Sequence, residues 1–486
     1  MVYDPASPSS VAASMLDAAV PEPPPSYADV EAESSAGGPS SGGESWPASL
    51  TPLFTGPPNA EPLISHDRAA ALPEVVTTKM YNRYETADAR LQSPNLLYDF
   101  IRAEALKAPT VKVRAAAFHW ETSQRTQQVV ERGIPRQVQA GQRYRVADFD
   151  FTIDLSKVVA HESNSANISL FTLPTTIPAR RGTMGRTFGA SIAPFPGAKS
   201  VGRSPTREEK GRWDAYAKFR HERGRAPWSD IANDEEFWTG YNRDGRGIAL
   251  GGREDEEALI SSQPAENDTA LRAWCEAYTA DSGPMKCFKL TKTVYGWDIA
   301  ALRKAIMGAI HSTGYIAEDE QSITVDITVS EGDVVVRPPN FFSKYYYGSG
   351  AAHVFLMMLF WWAVPFLWLW QRLDPRAGGP YDVAVAAYGM KVYPPLPNTF
   401  KNESTEQAQH RLAALFKTHP EIPANPRLQR GPEGVHYLLG EREGQWFREW
   451  EERIRMAVRM RHCGELENPR VIDDGMEGPE LDGYVE

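Results

Sequence analysis

The chain has 486 residues, of which 42% are hydrophobic and 24% are charged, so it is long enough for two or three domains with packed cores. Its formal net charge of −11 argues against a dedicated nucleic-acid binder, whose contact surface is usually basic. The three cysteines, Cys275, Cys287 and Cys463, have no CxxC spacing, which excludes a disulfide framework and a cysteine zinc site.

Residues 1–78 are predicted to form a disordered tail. They are rich in Pro, Ser, Gly, Ala and Glu and carry few large apolar side chains, so they cannot bury enough surface to offset the entropy of ordering. No Lys or Arg precedes Arg68, and no apolar run follows Met1. A secretory signal peptide is therefore not expected, and membrane targeting would have to come from an internal segment.

The tail contains a PPxY motif, formed by Pro24, Pro25, Ser26 and Tyr27. The prolines favour the polyproline II conformation and the tyrosine fills an aromatic-lined groove, which is the type of ligand that WW domains bind. The motif resembles the PY motif by which membrane adaptors recruit WW-containing ubiquitin ligases of the HECT type. A chance match in a proline-rich tail is the alternative.

Residues 79–173 are predicted to form the first part of an α+β domain. Ser93 and Pro94 are typical of a helix start, with the serine as cap and the proline at the first helical position. Residues 111–120 have a strand pattern. A second strand is indicated by apolar residues that alternate with polar ones, namely Phe149, Phe151, Ile153 and Leu155.

Residues 174–270 lose this pattern and are predicted to be a flexible, Arg/Gly-rich insertion. Basic residues are interleaved with aromatic ones here, a combination that can bind anionic lipid headgroups or RNA. A solvated charged loop is the alternative. The residues predicted to contact lipid are Arg180, Arg181, Arg186, Arg203, Arg207 and Arg212.

Residues 271–345 are predicted to form the second part of the same domain. Residues 288–294 have a strand pattern, and Asp298 is placed to cap a helix whose apolar residues fall on one face. A further strand is indicated by the alternating residues Ile323, Val325, Ile327 and Val329. Strands on both sides of the insertion predict one α+β domain that is interrupted by a long loop.

Residues 350–371 are predicted to form a single transmembrane helix. Residues 354–370 are seventeen consecutive apolar residues, which would extend about 26 Å as a helix, with aromatic residues at both ends. Pro365 either kinks a spanning helix or turns a shallow hairpin that returns to the same face, and a single span is favoured. A buried soluble helix is the other alternative. The flanking charges are nearly balanced, so they do not predict the orientation.

Residues 372–486 are predicted to form a helical region with an acidic tail. Ser404 and Gln407 are spaced as in a capping box. A later helix is marked by apolar residues that recur every four positions, Trp446, Trp450, Ile454 and Val458. From Asp473 onward the chain is acidic and is expected to be loose.

Several of these stretches together resemble an uncharacterised family of fungal integral membrane proteins of unknown function. The resemblance spans roughly half of the chain. It is carried by residues 118–122 and 149–151, by residues 288–298 with the helix that follows, by the apolar stretch that ends near residues 365–368, and by the helix at 446–450. The resemblance implies a shared membrane-protein architecture and no assigned activity.

Enzyme motifs are missing from the sequence, which has no HExxH, GxSxG or Walker-type loop and no GxGxxG after a strand. His119 and Glu121 lie on one face of a predicted strand and form either an acid–base or ligand pair or a surface salt bridge. The chain is therefore predicted not to be an enzyme, with no cofactor and no metal.

The function predicted from these features is that of a membrane-anchored adaptor or scaffold. Its N-terminal region would be cytosolic and would recruit a WW-domain ubiquitin ligase through Pro24, Pro25, Ser26 and Tyr27. One alternative is a protein that binds lipid headgroups, and another is an uncharacterised enzyme. The expected partners are the lipid bilayer and the WW-domain protein, and nucleic acid is not favoured.

Overall fold

The computed structural model describes most of the chain beyond residue 55. The described residues are 56–57, 60–80, 82–131, 134–159, 167–191, 201–229, 231, 234–243, 271–316, 323–341, 354–355, 358–359, 361–419, 422–423, 425–431, 434–467, 481–482 and 484; for 123–131 and 134–142 the backbone alone is described. The PPxY motif lies outside the described residues.

The largest sheet has seven strands and is built from all parts of the described chain. Its strands are β1 (Ala60–Glu61), β2 (Thr78–Met80), β3 (Arg83–Thr86), β6 (Ile168–Thr172), β9 (Cys287–Tyr295), β11 (Asp333–Val336) and β12 (Pro380–Gly389). They lie in the order β1-β6-β12-β9-β11-β3-β2, in which β12 is parallel to β9 and β11 is parallel to β3. The other neighbours in this sheet are antiparallel.

A second sheet has four strands in the order β10-β4-β5-β17. Its strands are β4 (Thr110–Glu131), β5 (Ile134–Asp154), β10 (Ile323–Ser330) and β17 (Cys463–Glu465). Strands β4 and β5 pair from Lys112 to Glu131, whereas β10 begins opposite Ala117 and covers only the first part of β4. A β-bulge between Ala117 and Phe118 marks the point where the β4–β5 ribbon continues beyond β10.

Three two-stranded sheets and ten α-helices complete the described structure. The strand pairs are β7 (Phe188–Ser191) with β8 (Val201–Arg203), β13 (Lys391–Val392) with β16 (Leu439–Gly440), and β14 (Leu428–Gly431) with β15 (Gly434–Tyr437). The helices are α1 (His66–Ala70), α2 (Pro94–Ala105), α3 (Ser156–Val159), α4 (Arg207–Glu222), α5 (Glu235–Arg243), α6 (Leu271–Ala280), α7 (Ile299–Ser312), α8 (Ala363–Leu373), α9 (Thr405–Thr418) and α10 (Glu443–Arg459).

Helix α10 packs its apolar face into the main core, as its four-residue spacing predicted. Trp446, Trp450, Ile454 and Val458 are buried in one cluster with residues of α2, α7, β4, β5, β9 and β12. Helix α7 begins where Asp298 caps it through the backbone N–H of Ala301, at 2.8 Å. The capping box of α9 is also present, because Ser404 and Gln407 bond each other's backbone N–H groups. The predicted starts of α7 and α9 and the predicted apolar face of α10 are thus confirmed.

Helix α4 lies in the stretch for which the sequence predicted no regular structure. It begins with a capping box formed by Thr206 and Glu209, and it buries one side chain, that of Tyr216. This tyrosine packs with Ile231 and Phe237 in a small aromatic cluster of its own. Because most of its residues are charged and one side chain is buried, the helix has little of the apolar periodicity by which such elements are recognised.

The predicted disordered tail ends earlier than residue 78. Strand β1, helix α1 and the start of β2 fall within residues 60–78. Ser65 caps α1, and Glu61 accepts a hydrogen bond of 2.8 Å from the backbone N–H of Leu271. Contacts with residues more than 200 positions away order this stretch, which its composition does not reveal.

The predicted transmembrane helix is wrong. No helix among the described residues is long and apolar enough to cross a membrane. The sheet gives the physical reason, since β12 follows the apolar stretch in sequence yet pairs with β6 and β9, which precede it. A single span would place these strands on opposite sides of a bilayer, where they could not share hydrogen bonds. The membrane-spanning, single-pass architecture is therefore replaced by a mixed α/β fold with several sheets.

Strand β12 also corrects the prediction that residues 372–486 are helical. Its residues are buried almost throughout, because it lies in the middle of the seven-stranded sheet. A strand covered on both faces shows a continuous apolar run without alternation. Such a run does not distinguish a buried strand from a helix by its period.

We expect Val383→Ala in β12 to lower the free energy of unfolding of the whole domain. Val383 is fully buried among residues that precede the apolar stretch, so the substitution should cost about 1.5–3 kcal/mol. Urea denaturation should show one transition at a lower midpoint, and Val76→Ala, at a 75% exposed position, should leave it nearly unchanged. Two transitions, of which Val383→Ala moves one, would contradict the shared sheet.

Candidate functional site

The apolar stretch that suggested a membrane helix is exposed in the structure. We call residues 354–373 the apolar segment. Nine of its described large side chains are 44–74% exposed, and they are Val354, Phe355, Met358, Leu359, Trp361, Trp362, Phe366, Trp368 and Leu369. Scattered exposed apolar residues are normal on a protein surface, whereas a contiguous set of this size marks an interaction site.

The exposed side chains of helix α8 point in different directions. At about 100° per residue, Phe366 and Trp368 lie about 200° apart around the helix axis, and Leu369 lies between them on a third face. All three are at least 44% exposed. Leu367 and Trp370 lie on the remaining side of the helix and are half-buried. The exposed side of α8 is therefore apolar, whereas the exposed side of a surface helix is normally polar.

The apolar segment starts and ends on the same side of the main sheet, where β9 and β12 begin and β11 ends. We call this row of strand ends the edge from which the segment projects. Strand β11 ends with Val336 opposite Phe288, and β12 starts with Pro380 opposite Cys287. Phe288 and Cys287 are consecutive residues at the start of β9. The end of β11 and the start of β12 therefore lie beside the start of β9, one on each side of it. The apolar segment connects these two points, so both of its flanks are at one edge of the sheet.

The return of the chain to the sheet is tightly packed. The backbone N–H of Met285 donates to the carbonyl oxygen of Ala377 at 2.8 Å, and a side chain at Gly378 would place its Cβ 2.8 Å from the backbone nitrogen of Lys286. The ammonium group of Lys286 donates to the carbonyl oxygens of Tyr278 and Asp281, at 2.7 and 2.6 Å. Burial lowers the pKa of Lys286 to about 8. These contacts give the exposed segment a rigid attachment.

Part of the basic insertion lies against this attachment. A Cβ at Gly379 would lie 2.7 Å from the carbonyl carbon of Thr183, and the backbone N–H of Gly182 donates to the carbonyl oxygen of Pro380 at 2.9 Å. Arg180 lies 3.7 Å from the carboxylate of Asp382 in β12 and keeps 44% of its side chain exposed. At the end of α8, the guanidinium of Arg372 lies over the ring of Trp368 at 5.4 Å. Arginines therefore border the apolar segment.

Arg181 is not available to a lipid headgroup. Its side chain is fully buried and donates to the carbonyl oxygens of Thr187, Pro174 and Ile177, at 2.6, 2.8 and 3.1 Å. Burial lowers the pKa of Arg181 to about 10. This arginine holds the start of the insertion on the domain, so its predicted lipid contact is wrong.

The other arginines predicted to contact lipid have mixed environments. Arg186 pairs with Asp214 at 2.5 Å, and Arg203 pairs with Glu209 at 2.7 Å. Arg207 is exposed at the first turn of α4, and Arg212 is half-buried in the same helix. Four of the six arginines thus lie on or beside α4, where two of them are paired with its carboxylates, whereas Arg181 is buried and Arg180 pairs with β12.

His119 is held between two carboxylates, of which the sequence indicated one. Its Nδ1 lies 3.0 Å from Asp148 and its Nε2 lies 3.3 Å from Glu121. Tyr144 donates to Glu121, and Tyr315 donates to Asp148 at 2.7 Å. Asp148 is the extra residue of the β-bulge opposite Ala117 and Phe118, and a bulge re-aims side chains in a way that a regular alternation does not predict.

This cluster is a hydrogen-bonded network in which the histidine pairs with both carboxylates. The hydrogen bond to Glu121, together with the charge of Asp148, raises the pKa of His119 above its ordinary value. Among the described residues, no three His, Cys, Asp or Glu side chains are placed to hold a metal ion. Of the two readings of His119 and Glu121, the geometry favours the surface salt bridge.

We expect an NMR titration to give His119 a pKa above 6.5, and Glu121→Gln to lower it, because the largest cause of the shift is the bond to Glu121. A raised pKa means that the charged histidine stabilises the fold below its ordinary pKa, and that this contribution is lost as the pH rises through the folded-state value. Glu465→Gln, which removes a carboxylate paired with Lys112, is the matched control and should not change the pKa of His119. An unchanged pKa in Glu121→Gln would contradict the assignment.

Comparisons with known proteins identify no relative of this chain. No family model matches the sequence, and no curated protein and no solved structure matches it. The resemblance to fungal integral membrane proteins therefore stays a prediction, and function has to be argued from the chain itself.

Proposed function

We propose that this protein is an adaptor that attaches to one face of a lipid bilayer through the apolar segment and recruits a WW-domain protein through its PPxY motif. One observation carries the lipid contact, which is that nine large apolar side chains between Val354 and Leu369 are exposed and that the exposed side of α8 is apolar. A helix inserted in one face of a bilayer contacts lipid along its whole exposed side, which suits an exposed side without polar residues. The role is one of binding and needs no catalytic step.

The dimensions fit a shallow insertion. Helix α8 has 11 residues and is about 16 Å long, roughly half of a hydrocarbon core of about 30 Å. Burying one large apolar side chain is worth about 1.5–3 kcal/mol. Four such side chains would therefore match the weak, reversible membrane binding of one myristoyl chain, and the apolar segment has nine.

The arginines beside the segment support contact with anionic headgroups. Arg180 and Arg372 border the apolar segment, and Arg376 is exposed just after α8. A basic residue near an anionic bilayer contributes about 1 kcal/mol of attraction. Headgroup binding is therefore part of the same proposal, with these three arginines as the contacts in place of the buried Arg181.

The adaptor role is supported by the sequence of the tail. Pro24, Pro25, Ser26 and Tyr27 have the pattern that WW domains bind, and they precede the described domain by more than 30 residues. Because β12 keeps both flanks of the apolar segment in one domain, a cytosolic tail is compatible with a domain on the cytosolic face of the bilayer. The proposed partner is a HECT-type ubiquitin ligase.

The lipid contact is tested by flotation of the purified full chain with liposomes. We expect the combined substitution Trp361→Glu, Trp362→Glu and Phe366→Glu to abolish flotation, because three charges would have to enter the hydrocarbon. The matched control is Ile316→Glu with Met460→Glu, at positions that are 90% and 72% exposed outside the segment, and it should float like the unchanged chain. Equal flotation of both variants would show that the segment does not bind lipid.

The headgroup preference is tested in the same assay with vesicles of neutral lipid and with vesicles containing phosphatidylserine. The unchanged chain should float better with the anionic vesicles, and Arg372→Gln with Arg376→Gln should reduce that difference. Binding that is equal for the two vesicle types would remove the proposed role of the arginines and leave the apolar contact standing.

Recruitment is tested by capture of the full chain on immobilised WW domains. Tyr27→Ala should lose capture because the aromatic groove is then unfilled, whereas Tyr3→Ala, a tyrosine of the same tail outside the motif, should keep it. Equal capture of the two variants would rule out the PPxY motif as the contact.

A further inference from the structure

Leu481, Asp482 and Tyr484 lie docked on the start of helix α10, although the sequence predicted a loose acidic tail. Leu481 and Tyr484 are 9% and 7% exposed and belong to the main core cluster. The carbonyl oxygen of Asp482 accepts a hydrogen bond of 2.9 Å from the backbone N–H of Gly444. The first N–H groups of a helix lack partners within the helix, so this carbonyl satisfies one of them.

The carboxylate of Asp482 enters a basic site. The ammonium group of Lys391 donates to Asp482 Oδ2 at 2.8 Å, and the hydroxyl of Tyr393 donates to the same oxygen at 3.4 Å. The guanidinium of Arg442 lies 3.6 Å from Asp482 Oδ1. Charge-assisted hydrogen bonds of this kind are stronger than neutral ones, so the site discriminates in favour of an acidic residue.

The side chain of Tyr484 fills an adjoining aromatic site. Its ring lies 5.8 Å from the ring of Phe447, and its hydroxyl donates to Glu451 one turn further along α10. Burial raises the pKa of Tyr484 to about 12, so the hydroxyl keeps its proton at neutral pH. Arg448 contacts the carbonyl oxygen of Tyr484 at 3.5 Å. The site is thus matched to an aromatic residue with a hydroxyl group, two positions after the aspartate.

The domain does not need this segment to complete its charge pairing. Lys391 is buried, and it also pairs with Glu443, through contacts of 3.0 and 2.8 Å to the two carboxylate oxygens. Glu443 alone would therefore keep the lysine paired. The described residues of the segment also belong to no helix and no strand. Like a bound peptide, the segment contacts the domain through three side chains, those of Leu481, Asp482 and Tyr484.

We propose that the surface formed by Lys391, Tyr393 and the first turns of α10 is a peptide-binding site for an extended segment of the pattern apolar–Asp–X–Tyr, and that residues 481–484 occupy it as an internal ligand. A segment with the same pattern on another chain would compete for the site. This site lies outside the apolar segment and the PPxY motif, so it does not rest on the proposed lipid or WW contacts.

The attachment of the segment to the same chain determines when the site is open. Joining a ligand to its site gives it an effective concentration in the millimolar range. Even if the segment binds its site with modest affinity, it then occupies the site in most molecules, and an external peptide has to compete with it. The unchanged chain should therefore bind such a peptide much more weakly than a chain whose own segment is disabled.

The test uses the full chain with Leu481→Ser, Asp482→Asn and Tyr484→Ala, and a fluorescein-labelled peptide with the sequence of residues 478–486. Fluorescence anisotropy should show saturable binding to this variant and at least ~10-fold weaker binding to the unchanged chain. The same peptide with asparagine in place of its aspartate should bind at least ~10-fold more weakly, because it loses the charge-assisted bonds to Lys391.

A scrambled peptide of the same composition serves as the control for charge alone, and thermal melts check the fold of both chains. Equal binding of the peptide and the scrambled peptide, or equal binding to the variant and the unchanged chain, would overturn the proposal. It would also be overturned if the folded variant did not bind the peptide. Loss of the cooperative melt in the variant would show that residues 481–484 are part of the core rather than a ligand.

Discussion

The pairing of β12 with β9 is the constraint on which the rest of the structure depends. It joins a strand that follows the apolar segment to one that precedes it, with eight residue pairs in parallel register. Strand β6 closes the other side of β12, so the strand is enclosed by earlier parts of the chain. Both flanks of the apolar segment must then lie on the same side of any bilayer. The segment becomes an excursion from one sheet edge, and a contact with one face is the membrane association that this topology allows.

The edge from which the segment leaves combines stiffness with exposure. Where the chain returns to the sheet, Lys286 binds a backbone carbonyl, and the backbone packs too closely at Gly378 and Gly379 for a larger residue. Tryptophan and phenylalanine side chains are exposed to solvent on the outer side of α8. A rigid attachment limits the entropy lost when the exposed helix meets a surface, which favours binding. Arg181 has a comparable role in the insertion, where one buried guanidinium holds several backbone carbonyls and keeps Arg180 near this edge.

Two charged clusters show how the fold uses residues that are distant in sequence. Asp148 reaches His119 because a bulge turns it out of the regular alternation of β5. Asp482 binds Lys391 across 91 positions in sequence, and the same lysine also pairs with Glu443, 52 positions away. In each case the sequence shows the charged residues but not which of them meet, because the register of a strand or the docking of a short segment decides the contact. Neither arrangement follows from the spacing of charges along the chain.

The sequence by itself determined the local features, because each depends on neighbouring residues. The starts of α7 and α9 follow from their caps, and the start of α2 follows from Pro94 in its first turn, where Ser93 makes no side-chain cap bond. The apolar face of α10 and the apolar character of residues 354–370 follow from periodicity and composition. The tertiary structure alone decided that β12 is a central strand, that residues 60–78 are partly ordered and that the apolar stretch returns to its starting edge. Those outcomes depend on hydrogen bonds between strands far apart in sequence, and seventeen apolar residues have the same composition whether they cross a bilayer or project from one edge of a sheet.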